Sequence, residues 1–263
     1  MKSNQPIGVF DSGVGGISIW KEIVKLLPIE DTIYLADSKN APYGQKSRQE
    51  IIDLSVKNTE LLLSKGCKII VVACNTATTN AIDFLRDNYK VPFIGIEPAI
   101  KPAALQTKTN AIGILATQGT LSSELFHSTS KKFAEGIKVV EQVGEGLVPL
   151  VESGKMDTPE MLYLLNKYLY PMLDEHIDYL VLGCSHYPFL IPQIRKIVGD
   201  KVTIIDSGYA VAKQTRAILK KENLLVKEKS SAFHQLYTNA DVSILKDIAK
   251  DFNKNSTINY LDF

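Results

Sequence analysis

Cys74 and Cys184 stand at matching places in two halves of this chain. Cys74 follows Val71-Val72-Ala73 and precedes Asn75-Thr76; Cys184 follows Val181-Leu182-Gly183 and precedes Ser185-His186. Each reads as a thiol at the end of a buried strand, with small polar residues beyond it. A second matching pair lies upstream: Ile7-Gly8-Val9-Phe10-Asp11-Ser12-Gly13 is repeated in kind by Ile112-Gly113-Ile114-Leu115-Ala116-Thr117-Gln118-Gly119. Ser12 is 62 residues before Cys74, and Thr117 is 67 before Cys184. A duplication with one thiol per half predicts one site between two lobes, with a thiol on each side. That suits a reaction nearly symmetric about a plane. A thiol near a helix N-terminus or a histidine ionises more readily than a free one. A lone cysteine in an apolar run is more often a small buried hydrophobe. Cys67, just before a strand, fits that description; the duplicated position sets Cys74 and Cys184 apart.

The turn Asp11-Ser12-Gly13-Val14-Gly15-Gly16 follows a strand and precedes a helix. Ligands of open α/β sheets bind beyond the carboxyl ends of the strands. Glycines there let backbone N–H groups face an anion at a helix N-terminus. Asp11 either faces the site or caps the following helix. The turn lacks the dinucleotide fingerprint, and there is no phosphate-binding loop of the GxxxxGK type. Of the histidines, 127, 176, 186 and 234, none stands at a zinc-type spacing to a cysteine, so no metal site is expected. His234 and His176 read as packing or surface residues. A Cys–His–Asn hydrolase built on Cys184 and His186 is conceivable, but it leaves the second thiol unexplained. A two-lobed amino-acid binding protein would use the same cleft without needing paired thiols.

The elements that must hold these residues alternate. Strands are expected at 6–10, 32–36, 68–73, 92–96, 111–115, 137–141, 179–183, 202–205 and 234–238. Helices are expected near 15–27, 47–65, 76–88, 98–106, 119–134, 158–174, 188–197, 207–222 and 241–253. Continuous Val/Ile/Leu strands between helical stretches predict an α/β fold with mainly parallel sheets buried on both faces. In helix 47–65, Ile51, Leu54, Val56, Leu61 and Leu62 are expected mostly on one side. We expect two pseudo-symmetric lobes: 1–97 with 207–263 forming one discontinuous lobe, and 98–206 the other.

At 263 residues, 45% hydrophobic and 22% charged, the chain has an ordinary globular composition. The net charge of +1 gives no basic surface for nucleic acid or membrane, and the charge-rich stretch 220–229 mixes signs. No apolar run is long enough to span a bilayer, and residues 1–6 carry no leader-like apolar region. Three cysteines, an odd number, predict a reducing compartment and a cytoplasmic protein.

Four segments together carry a resemblance: Gly8-Val9-Phe10-Asp11-Ser12-Gly13-Val14-Gly15-Gly16, Ala36-Asp37-Ser38-Lys39-Asn40-Ala41-Pro42-Tyr43-Gly44, Ala73-Cys74-Asn75-Thr76-Ala77 and Gly183-Cys184-Ser185-His186-Tyr187-Pro188. In this order they resemble the motif set of the bacterial glutamate racemases. Ser185 stands where the family usually has threonine and keeps the hydroxyl. Nothing after about residue 220 matches a family motif.

The resemblance implies interconversion of L- and D-glutamate without a cofactor or metal, supplying D-glutamate for peptidoglycan. It implies Cys74 as the residue that takes the proton from the D isomer and Cys184 as the one that takes it from the L isomer. Asp11 would assist Cys74, and His186 with Glu152 would assist Cys184. Ser12, Tyr43, Gly44, Asn75, Thr76, Ser185 and His186, with Asp11, would bind the substrate. Asp37 would orient the site or cap a turn. A homodimer is implied as well. Some family members carry an N-terminal extension and respond to a cell-wall precursor; with about six residues before the first strand, that control is not expected here. The nearest alternative is an aspartate or other amino-acid racemase of the same superfamily.

Overall fold

A computed structural model describes residues 2–96, 98–228 and 230–263. Glu97, at the expected lobe boundary, and Lys229, at the end of the charge-rich stretch, lie outside the described residues. The apolar runs form parallel strands, and the longer periodic segments form helices between them. The first sheet contains β1 (Ile7–Asp11), β2 (Thr32–Ala36), β3 (Ile69–Val72), β4 (Phe93–Gly95), β9 (His234–Thr238) and β10 (Ser256–Tyr260), in the order β10-β9-β2-β1-β3-β4. The second contains β5 (Ala111–Ala116), β6 (Lys138–Val143), β7 (Tyr179–Gly183) and β8 (Thr203–Ile205), in the order β6-β5-β7-β8. Every strand pair is parallel.

The duplication is visible in the topology. The run β2-β1-β3-β4 of the first sheet has the same order as β6-β5-β7-β8 of the second. The chain leaves β1 toward one edge and returns on the other side at β3, and it does the same from β5 to β7. Each sheet therefore has a crevice at the carboxyl ends of its two central strands, where such sheets bind ligands. Asp11 and Cys74 sit at one crevice, Thr117 and Cys184 at the other.

The helices are α1 (Ile17–Leu26), α2 (Arg48–Ser64), α3 (Asn75–Asn88), α4 (Ile100–Gln106), α5 (Gln118–Leu121), α6 (Glu124–Phe133), α7 (Leu147–Glu152), α8 (Pro159–Asp174), α9 (Ile191–Val198), α10 (Gly208–Lys221) and α11 (Val242–Ala249). One apolar cluster runs through both parts, from Val9, Trp20 and Ile23 to Leu147, Val151, Leu182 and Tyr187. Two smaller clusters fill the outer faces, one around Phe10, Ile70 and Leu85 and one around Ile112, Ile114 and Phe126. Helix α10 returns from the second sheet to pack along α1, burying Val211, Ala212, Thr215 and Leu219.

Four local expectations need correction. Strand β10 was not expected: Ser256-Thr257-Ile258-Asn259-Tyr260 is polar because it is an exposed edge strand. Helix α7 was not expected either; it is six residues long and contains Pro149. The expected helix 119–134 is two helices. Ser123 divides them, its hydroxyl accepting from the Phe126 N–H and donating to the Thr120 carbonyl, so it caps the second as it ends the first. In α2, the buried face carries Ser55, Asn58 and Thr59 beside Ile51, Ile52 and Leu62, while Leu54, Val56 and Leu61 are only partly buried. Two of these polar residues are partnered: Ser55 donates to the Ile51 carbonyl, and Asn58 donates to the Tyr43 hydroxyl at 3.1 Å.

Candidate active site

Cys74 is the last residue before α3 and its N-cap. Its Sγ accepts from the Ala77 N–H at 3.4 Å and lies 3.6 Å from Ser12 Oγ. Cys184 directly follows β7, and its Sγ lies 3.8 Å from His186 Nδ1. Both thiols line one narrow cavity, with Ser12, Pro42, Tyr43, Gly44, Asn75, Thr76, Thr117, Val148, Ser185 and His186. A wider cleft of about 280 Å³ adjoins it and shares Pro42, Gly44, Thr117 and Val148. The structure thus brings together nine of the residues singled out in the sequence. Two more, Asp11 and Glu152, stand behind the cavity wall rather than in it.

The two thiols have different support. On the Cys184 side, His186 is buried, and its Nε2 lies 2.5 Å from Glu152 Oε1. Burial alone would lower the His186 pKa, but the contacts to Cys184 and Glu152 outweigh it and raise the value well above the usual one. Burial alone would raise the Glu152 pKa; here His186, the Ser38 hydroxyl and the Val14 N–H hold it below the ordinary carboxylate range. His186 thus stands between the Glu152 carboxylate and the Cys184 sulfur. On the Cys74 side, burial and the nearby Asp11 carboxylate push the thiol up, against the helix N-terminus and the Ser12 hydroxyl, which pull it down. Cys74 is therefore a thiol that, once ionised, is a strong base. Cys67 is buried away from the cavity, and burial pushes it up to about 12.

Asp11 is fully buried. Its Oδ2 accepts from the Gly16 N–H at 2.7 Å, ahead of α1, and its Oδ1 accepts from the Ser185 hydroxyl at 3.2 Å. Burial raises its pKa, with His186 opposing. It therefore both orders the turn and reaches across to the other half. Asp37 is buried and does not cap its turn: its Oδ2 accepts from the Tyr43 hydroxyl at 2.5 Å, and its Oδ1 accepts from Asn40 and Asn239. Asn75 lines the cavity with both side-chain polar atoms buried and unpartnered. Buried amides are normally paired, so this one offers a donor and an acceptor at the cavity wall. Among the described residues, no group of three or more His, Cys, Asp or Glu side chains is arranged to hold a metal ion.

The comparisons with known proteins fit this geometry. The family model described as Asp/Glu/Hydantoin racemase matches residues 7–215, which span both thiols. The chain belongs to the Asp/Glu/Hydantoin racemase family. A glutamate racemase of Herpetosiphon aurantiacus is 44% identical over 238 residues, covering 90% of this chain and 94% of that one. Two solved structures overlay on nearly the whole chain. One is a glutamate racemase isoform from Bacillus anthracis, with a TM-score of 0.88 and 32% identity, covering 99% of this chain and 98% of that one. The other is Escherichia coli glutamate racemase in complex with L-glutamate and the activator UDP-MurNAc-ala, with a TM-score of 0.86 and 31% identity, covering 98% of each chain.

Within this racemase framework the sequence reading passed over several residues. Val148 and Pro42 close the cavity but lack a functional group. Ser38 sits inside a recognised motif, and its contact with Glu152 joins elements far apart in the chain. Asn239 lies in the C-terminal stretch that matched no motif; only its place after β9, beside the turn that follows β2, discloses it. Of the remaining histidines, His127 and His176 are exposed, and His234 packs: it is buried, 2.9 Å from Thr32 Oγ1 and edge-on to Trp20.

Proposed function

We propose that this chain interconverts L- and D-glutamate by a two-thiol mechanism that uses no cofactor. The observation that carries it is the pair Cys74 and Cys184, held just beyond the ends of topologically equivalent strands and lining one cavity. In the L-to-D direction, the Cys184 thiolate takes the Cα proton and becomes a thiol. The Cys74 thiol then delivers its proton to the opposite face of the carbanion and becomes a thiolate. The enzyme is left with its proton on the other cysteine; turnover of D-glutamate, or proton exchange with water, restores the first form. His186 and Glu152 stabilise the Cys184 thiolate, and Asp11 keeps Cys74 basic enough to attack the D isomer.

Negative charge develops on the α-carboxylate as the proton leaves. Preorganised donors must meet it. The Asn75 amide and the hydroxyls of Ser12, Thr76 and Ser185 are suited to that role, with Tyr43 and Gly44 closing the cavity. A second carboxylate on the substrate needs its own donors, and burying it unpaired costs several kcal/mol. On this basis glutamate is turned over in preference to aspartate. The cellular role we assign is supply of D-glutamate for peptidoglycan in the cytoplasm. No helix among the described residues is long and apolar enough to cross a membrane. The lobes we assign are 1–97 with 207–263, and 98–206, supported by the strand content of the two sheets and by α10 packing on α1. Assembly as a homodimer is part of the proposal and is tested by sedimentation.

The decisive experiment follows optical rotation with each glutamate enantiomer and deuterium uptake at Cα in D₂O. Cys74→Ala and Cys184→Ala should each lose racemisation by at least about a thousandfold, since inversion needs both a base and an acid. Cys67→Ala should retain it. Equal or faster turnover of aspartate would move the chain to a neighbouring specificity. A single-cysteine variant racemising at the unmodified rate would overturn the mechanism.

A further inference from the structure

Glu152 is held mainly from the other half of the molecule. Its Oε1 accepts from the Val14 N–H at 2.7 Å as well as meeting His186, and its Oε2 accepts from the Ser38 hydroxyl at 2.7 Å. Ser38 opens the short turn Ser38–Asn40 that follows β2. That turn is clamped from both sides. Asn239 Nδ2 donates to Asp37 Oδ1 at 2.5 Å, and Asn239 Oδ1 accepts from the Lys39 N–H at 2.9 Å. Asp37 also receives the Tyr43 hydroxyl, and Asn239 also donates to the Phe263 carbonyl at 3.1 Å. Both Asp37 and Asn239 are buried. The residues immediately before and after Ser38 are therefore fixed by one amide side chain about two hundred positions away in the sequence.

We infer that Ser38, clamped by Asn239 and Asp37, is a positioning residue for proton transfer at Cys184, acting through Glu152 and His186. This rests on the racemase reading above. A carboxylate held at one oxygen can turn about its last bond; held at both, it presents Oε1 to His186 Nε2 in one orientation. The ring is then fixed with Nδ1 facing Cys184. Among the described hydrogen bonds none links Ser38 or Asn239 to Cys74, so the effect belongs to one of the two proton transfers.

The test compares the unmodified protein with Ser38→Ala, Ser38→Thr and Asn239→Ala, using L- and D-glutamate with hydrogen or deuterium at Cα. Loss of a hydrogen bond to a charged group predicts a fall in kcat/KM of about tenfold for Ser38→Ala. The equilibrium constant of a racemisation is one, so that fall is equal in both directions and cannot locate the defect. The isotope effects can. A slower step at Cys184 should raise the Cα isotope effect on kcat/KM for L-glutamate and lower it for D-glutamate. Asn239→Ala should show the same pattern, and Ser38→Thr, which keeps the hydroxyl, should stay close to the unmodified protein. Thermal melts separate these outcomes from unfolding. The inference is overturned if Ser38→Ala retains full activity, if both isotope effects move together, or if Ser38→Thr is as impaired as Ser38→Ala. If the unmodified protein neither racemises glutamate nor exchanges its Cα proton, the racemase reading falls first and this inference with it.

Discussion

Asp11 is a carboxylate in a place that disfavours its charge, and that sets up an opposition between stability and activity. Its pKa in the folded protein is raised above the ordinary 3.8, chiefly by burial. For a raised value, the stability contribution is full below the unfolded pKa and is lost as pH rises through the folded one. At neutral pH, above the unfolded value, this carboxyl is therefore a net destabiliser. Asp11→Asn removes the charge and keeps an oxygen that can accept from the Gly16 N–H. It should raise Tm at pH 7 by about 2–4 °C, the shift that ~1 kcal/mol produces in a chain of this size. The gain should vanish below about pH 4, where the native carboxyl is protonated in both states. Racemisation should fall in the same variant, because the charge that keeps Cys74 basic is gone. A lower Tm at pH 7 would show that the Ser185 and Gly16 contacts outweigh the burial of the charge. Glu152 has the opposite sign. Its lowered pKa contributes stability above the ordinary 4.5, and that contribution is lost as pH falls through the folded value.

The strand-to-helix turns act as spacers as much as binding loops. A Cβ on Gly13 would lie 1.9 Å from Glu152 Oε1, and one on Gly15 would lie 2.3 Å from His186 Nδ1. The first turn is thus pressed against the dyad of the second half, and only hydrogen fits between them. Gly15→Ala should displace the imidazole from Cys184 and lower kcat at least about tenfold, with a melting temperature a few degrees lower, since overpacking costs about 1–3 kcal/mol. Unchanged kcat in that variant would mean that the ring can retreat without harm. At this scale the sequence was informative where function and burial coincide. The strands around Cys74 and Cys184 are continuous apolar runs ending in a thiol, so both element and site could be read together. It was silent where an element is short or exposed, as with α7, whose six residues deliver Glu152, and with β10, whose polar edge hides its pairing with β9. Ser38 and Asn239 were illegible for another reason. Their importance lies in hydrogen bonds spanning 114 and about 200 positions, and nothing in the local residue pattern encodes those.

The two halves meet over the cavity, and their moving apart would widen the way into it from the adjoining cleft. On one flank, Thr76 Oγ1 lies 2.8 Å from Thr117 Oγ1, and Asn80 donates to the Gly119 carbonyl at 3.1 Å. On the other, Ser18 donates to the Ser185 carbonyl at 2.9 Å, while Val14 and Ser38 hold Glu152. These are hydrogen bonds of modest net worth, each about 1 kcal/mol, somewhat more where a carboxylate accepts. A set of that size can loosen at the cavity while the strand ladders stay intact, because the ladders do not depend on it and the apolar cluster shared by both parts still joins them. The Val14 amide is a reporter of this equilibrium, since its N–H is satisfied by Glu152 from across the boundary. Hydrogen exchange of Val14 should be much faster than that of Val9, which lies inside β1, when the protein is free. Saturating D- or L-glutamate should slow Val14 at least about tenfold by holding the halves together, and leave Val9 nearly unchanged. If Val14 already exchanged as slowly as Val9 in the free protein, the closed arrangement would be the resting state. Substrate would then have to enter through the wider cleft beside Pro42 and Val148 without separation of the halves.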